Sequence, residues 1–156
     1  MERLTIARWT VDVDRSATEE AYASLDGGSA DRCGCDDCLT FIAARDSLFP
    51  ESVVQFLEMA GIPRESDIEL ASFGEIREGV QLYSGWYHFV GCIIAGDDAA
   101  IPYDDGRGWS YDLAKVTEAF SLGVTKRVSQ RADAFPPEST LQFEFAVELP
   151  LGKKKE

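Results

Sequence analysis

The stretch LQFEFAVEL, residues 141–149, constrains this chain more than any other. Leu141, Phe143, Phe145, Val147 and Leu149 alternate with Gln142, Glu144 and Glu148, and a two-residue period puts the apolar set on one face of a strand. Such a face is stable only against a second layer. A partner strand is expected in VQLYSGWYHFVGCIIAG, residues 80–96, where the nearly unbroken apolar run from Trp86 to Ala95 predicts a central strand covered on both faces. Ser84 and Gly85 within it read as a tight hairpin turn separating two strands.

Further strands are expected in DIELASF and in the segment where Val116, Glu118, Phe120, Leu122 and Val124 share a face. At the start, LTIARWTVDVD reads as a single first strand with Ala7, Trp9, Val11 and Val13 on one side. Residues 14–32 read as a linker with at most a helical turn through TEEAYASL. Two helices follow. One carries Cys38, Phe41, Ile42 and Arg45 on a face; the other is PESVVQFLEMAGIP, opened by Pro50, buried through Val53, Phe56, Leu57 and Ala60, and stopped at Gly61. Residues 96–112 read as a solvated, Asp-rich excursion lacking the ligand spacing of a calcium loop.

No β-α-β alternation occurs, so the order predicts an α+β fold with a largely antiparallel sheet of about five to six strands and two consecutive helices after the first strand. At 156 residues and 45% hydrophobic composition, one domain over 1–150 is expected, followed by a basic, flexible tail at 151–156.

The formal charge of −13 argues against a nucleic-acid backbone or an anionic membrane as partner and suits a protein with a basic surface. No stretch approaches the roughly 20 apolar residues of a membrane span, and the first residues have no secretory pattern, so a cytoplasmic location is expected. In a reducing setting the four cysteines are expected to be free or metal-bound. Phosphate-loop, dinucleotide and nucleophile-elbow motifs are absent, and the single histidine leaves any hydrolytic pair only His88.

The chemistry concentrates in DRCGCDDC, residues 31–38, which admits three readings. In the first, Cys33, Cys35 and Cys38 supply three corners of a tetrahedral zinc site. His88 is the expected fourth ligand, because a strand fixes the direction of its imidazole. Cys92 is the alternative, and since the two positions lie about 13 Å apart along a strand they cannot share an ion. In the second, Cys35 or Cys38 is a thiolate stabilised by a helix N-terminus, opposed by Asp31, Asp36 and Asp37. In the third, the cysteines fill a plain helix entrance capped by Asp36 or Asp37.

CGCDDC, YSGWYHFVG and FPPESTLQFEFAVELP together resemble a family of small bacterial proteins of unknown function with a C-x-C-x-x-C motif before a helix, a Y-x-G-x-Y-H-x-V-G strand and a terminal strand ending near proline. The resemblance spans Cys33 to Pro150, rests most on the triplet with Tyr83, Gly85, Tyr87, His88 and Gly91, and departs at Thr40 and after Pro150. It implies a single α+β domain and no activity. The resulting expectation is a non-enzymatic, acidic, protein-binding protein with a structural metal, of immunity or inhibitor type. The alternative is a thiol-dependent or metal-assisted enzyme acting on a small molecule.

Overall fold

A computed structural model describes residues 1–151; the tail expected to be flexible therefore lies, from residue 152 on, outside the described residues. The chain runs β1 (Glu2–Ile6), β2 (Trp9–Val13), α1 (Arg15–Ala23), α2 (Ser29–Cys33), α3 (Asp36–Leu48), α4 (Glu51–Ala60), β3 (Glu69–Arg77), β4 (Val80–Ala95), β5 (Ala100–Pro102), β6 (Trp109–Tyr111), β7 (Ala114–Lys115), β8 (Phe120–Thr125) and β9 (Thr140–Pro150). The fold is α+β. Its 7-stranded sheet has the order β1-β2-β4-β9-β8-β7, with β3 also paired to β4, while β5 and β6 form a small sheet of their own. Every pairing is antiparallel.

The two segments that sequence periodicity marks most strongly are the centre. β4 and β9 pair from Val80↔Pro150 to Val90↔Thr140, and the apolar residues of β9 are buried on the face that α3 and α4 cover. Phe41 of α3 stacks on Phe145 at 6.3 Å between ring centroids, and Phe56 of α4 on Phe143 at 5.5 Å. Tyr83 and Tyr87 of β4 fill the same layer. An aromatic cluster of this kind stabilises through both area and edge or offset contacts. No helix among the described residues is long and apolar enough to cross a membrane.

Several local expectations are corrected. The first strand is a hairpin turning at Ala7 and Arg8, with Ala7 at φ +50; Trp9, Val11 and Val13 keep their shared buried side. Ser84 and Gly85 do not turn: β4 passes through them unbroken, and the turn before it is at Gly79, φ +75. Gly85 is needed for close approach instead, since a Cβ there would sit 2.5 Å from the Glu69 carbonyl oxygen and 2.9 Å from Phe145 Cζ.

Residues 14–32 are not a linker but contain α1 and α2. The Asp14 carboxylate accepts from the Ala17 N–H and caps α1, which buries Thr18, Ala21 and Tyr22 at helical spacing. What α1 contributes is long-range. β3 pairs with β4 up to Trp86 and β2 pairs with it from Gly91, so one edge of β4 would lie bare between them. The Tyr22 hydroxyl accepts from the His88 N–H and donates to the His88 carbonyl, the Thr18 hydroxyl accepts from the Val90 N–H, and the Asp14 N–H donates to the Val90 carbonyl. Helix α1 thus replaces the missing strand, satisfying backbone groups that would otherwise be buried unpaired.

On the face opposite the helices, Tyr111, Ser129 and Phe135 close over the His88–Gln142 end of β4 and β9, while β7 and β8 extend the sheet itself beyond β9. The 96–112 excursion folds into β5 and β6, and Asp98 ties its base by accepting from the N–H groups of Ala100 and Lys126. The strand expected from Val116 begins only at Phe120, after a turn in which Val116 and Thr117 both donate to the Phe120 carbonyl.

Candidate metal centre

Helix α2 ends at Cys33, and Gly34 follows in the left-handed region at φ +68, with no atom within 4 Å of where a Cβ would lie. Its glycine is there for backbone conformation, the usual requirement just past a helix end. Cys35 is then the N-cap of α3 and Cys38 its third residue. One glycine between two helix ends therefore folds the three thiols onto each other: the Sγ atoms of Cys33, Cys35 and Cys38 lie within 4.8 Å of one another, at metal-binding distance. A tetrahedral zinc with Zn–S bonds of about 2.3 Å separates its sulfurs by about 3.8 Å, so closure needs shifts of an ångström or less. Cys33 and Cys35 are exposed and Cys38 is buried beneath them.

The capping expectation is corrected in the same place. Neither Asp36 nor Asp37 caps α3; the Cys35 sulfur does, accepting from the Cys38 N–H at 3.4 Å. That hydrogen bond, joined by contacts with the other two thiols, lowers the Cys35 pKa. The suppression of thiolate character expected from Asp31, Asp36 and Asp37 is thus not found at Cys35. Burial, followed by the neighbouring thiols, pushes Cys38 up to about 12. A metal reverses such a rise, because it binds the thiolate directly.

The turn is anchored through Asp37. Its carbonyl accepts from the Tyr83 hydroxyl at 2.7 Å, and its carboxylate accepts from Gln81 Nε2 at 2.9 Å, while Gln81 also donates to the Ser72 hydroxyl. Both partners stand on the central strand β4, so the first turn of α3 is fixed to the most deeply paired element. Helix α2 is held separately, the Asp67 carboxylate accepting from the Ala30 N–H and the Asp67 carbonyl from the Ser29 N–H. The anchoring roles of Asp37, Gln81 and Tyr83 escape sequence reasoning, although Asp37 and Tyr83 are singled out there for other reasons; of the residues that shape the turn, only Gly34, lying between two cysteines, leaves a local signal.

His88 does not join the thiols. It is fully buried on the sheet face opposite α3, and it stands outside the group of close ligand atoms. Its Nε2 lies 3.0 Å from Gln142 Oε1, an oxygen that also accepts from the Ser129 N–H. An amide oxygen only accepts, so Nε2 carries the proton and is no ligand. Nδ1 is buried without a partner, beside Phe135 at 5.7 Å between ring centroids. Burial lowers the His88 pKa to about 4, keeping the ring neutral. Alternation along β4 explains the separation: Tyr83 faces α3, and His88, five positions on, points to the other side roughly 16 Å away. Cys92, the alternative ligand, is exposed and sits opposite Asp12 of β2.

The opposite face carries a second polar group that sequence reading does not single out. Glu144, 5% exposed, accepts from Gln142 Nε2 at 2.8 Å, and burial raises its pKa to about 7. Gln142 is the hub, joining His88, Ser129, Glu144 and, at 3.4 Å, Tyr111. No protein family, curated protein or solved structure matches the chain, so the three-thiol turn stands on its own geometry.

Proposed function

We propose that the chain is a non-enzymatic, acidic protein that holds a structural zinc ion through Cys33, Cys35 and Cys38 and binds a partner with a basic surface. The observation that carries the metal reading is the mutual approach of three sulfurs across a turn whose ends are fixed by Gly34, Asp37 and Asp67. Zinc is the soft-to-borderline ion for which such donors are usual, and joining α2 to α3 is a structural task. The formal charge of −13 supports the basic partner. Elemental analysis of protein purified without chelator or immobilised metal tests the metal. One zinc per chain is expected, lost in Cys33→Ser, Cys35→Ser and Cys38→Ser and retained in His88→Ala; a metal-free wild type refutes it. Partner binding that weakens as salt is raised supports the docking reading, and binding insensitive to salt opposes it.

The exposed Cys35 sulfur with its lowered pKa favours a second reading, nucleophilic thiol chemistry on a small molecule. Alkylation of metal-free protein separates the two. Labelling of Cys35 well ahead of Cys33, with turnover of an electrophilic substrate, supports the enzyme. Selective labelling without turnover leaves Cys35 as a ligand.

A further inference from the structure

Resting on the metal reading above, we propose that the ion at Cys33, Cys35 and Cys38 receives from this chain three ligands only, and that its fourth position takes a neutral nitrogen donor, an imidazole, presented from outside. Among the described residues no further His, Cys, Asp or Glu atom joins the three sulfurs. The other candidates, the neighbouring Asp31 and Asp36 carboxylates included, stand outside that group. His88 holds its proton towards Gln142 inside the opposite face, Cys92 lies across from Asp12, and the Asp37 carboxylate accepts from Gln81. Two of the three thiols are exposed and the third lies beneath them, so the open side of the ion faces solvent.

Charge selects the ligand. Three thiolates around a dication leave a single negative charge, and Asp31, Asp36 and Asp37 each stand within two residues of a ligand cysteine. A fourth thiolate or a carboxylate brings a further like charge into that surround, whereas an imidazole brings none and is a better donor to zinc than water. A basic partner drawn to a chain of net charge −13 is a suitable carrier for it.

Cobalt(II) substituted into the full chain provides the test, because sulfur-to-cobalt charge transfer counts thiolates and the ligand-field bands report the fourth donor. Imidazole is expected to shift the ligand-field bands saturably while the three-thiolate charge-transfer intensity holds. It is expected to do so identically in His88→Ala, and at concentrations about tenfold below those at which 2-mercaptoethanol acts. No response to imidazole, tighter binding of the thiol, or a nitrogen donor lost in His88→Ala before imidazole is added each overturns the inference while leaving the metal reading intact. Failure of cobalt to bind overturns both. A lysine-rich peptide carrying one histidine separates the sources of the donor. Binding tighter than free imidazole at low salt, converging with it at high salt, assigns the donor to a protein partner; equal affinity at all salt concentrations assigns it to a small ligand.

Discussion

The cysteine turn and the His88 cluster both gather titratable side chains, yet they differ in nearly every physical respect. At the turn, two of three thiols face solvent, and they come from one short stretch of backbone that β4 and Asp67 hold at its ends. In the cluster, His88, Gln142 and Glu144 are buried, they come from β4 and β9, and most of their polar atoms are satisfied by one another or by the covering segment. The difference teaches that a group of reactive residue types is a candidate site only where its donors remain available. The turn leaves its sulfurs free to bind, while the cluster spends its hydrogen bonds within itself and on holding Ser129 and Tyr111 against the sheet. Substitutions in the cluster should therefore change stability and spare metal binding, and substitutions at the turn should do the reverse.

The largest stability effect is expected at the hub. Gln142→Ala leaves His88 Nε2, the Ser129 N–H and the Glu144 carboxylate without their partner. Stranding several buried polar groups is expected to cost roughly 3–5 kcal/mol in denaturant unfolding while zinc stoichiometry stays at the wild-type value. A metal loss equal to that of the cysteine variants would break the comparison.

The next effects depend on pH, and their signs oppose. Glu144 has a folded value of about 7 against an ordinary 4.5, so the native state holds its proton more tightly, and stability is lost as pH rises from 4.5 through 7. The cost at pH 8 is roughly 3 kcal/mol, and Glu144→Gln should remove it there and change little at pH 4. His88 runs the other way. Its folded value of about 4 lies below the ordinary 6.5, so its contribution is intact above 6.5 and is lost as pH falls through 4. His88→Gln should flatten that acid limb, again by roughly 3 kcal/mol. Between pH 4.5 and 6.5 the two slopes offset each other, and only the variants reveal them. Unfolding curves of wild type and variants at pH 4, 6 and 8 check both signs.

The smallest effect is expected at the turn. Cys33→Ser in metal-free protein replaces an exposed side chain and should move stability by no more than about 0.5 kcal/mol. The same substitution should abolish stoichiometric metal binding. A large loss of metal-free stability would mean that the turn is a packing element and would dissolve the contrast.

How much of this was legible in the sequence follows the range of the interactions involved. The alternation of β9 and the apolar run of β4 are local patterns; β9 forms where periodicity places it, whereas β4 runs on through the expected turn and leaves Cys92, Ile94 and Ala95 exposed at its end. The cysteine triplet is equally local, since its geometry follows from one left-handed glycine and one N-cap. Gly85 carries a local signal with the wrong local meaning, because the reason for a glycine there is the close approach of the Glu69 carbonyl on β3 and of Phe145 on β9. Helix α1 escapes a reading by composition, as its surface is polar and its value lies in hydroxyls that reach the edge of β4. The misplacement of His88 has the same origin. Without the register of β4 against β9, nothing in the sequence pairs it with Gln142 or shows that it faces away from the thiols.

The most direct test of the central claim is X-ray absorption at the zinc edge on protein reconstituted with one equivalent of zinc. Three sulfur scatterers at about 2.3 Å and one lighter nitrogen or oxygen neighbour are expected, unchanged in His88→Ala. A first shell of nitrogen and oxygen alone would contradict the claim and leave the three thiols as a helix junction without a metal.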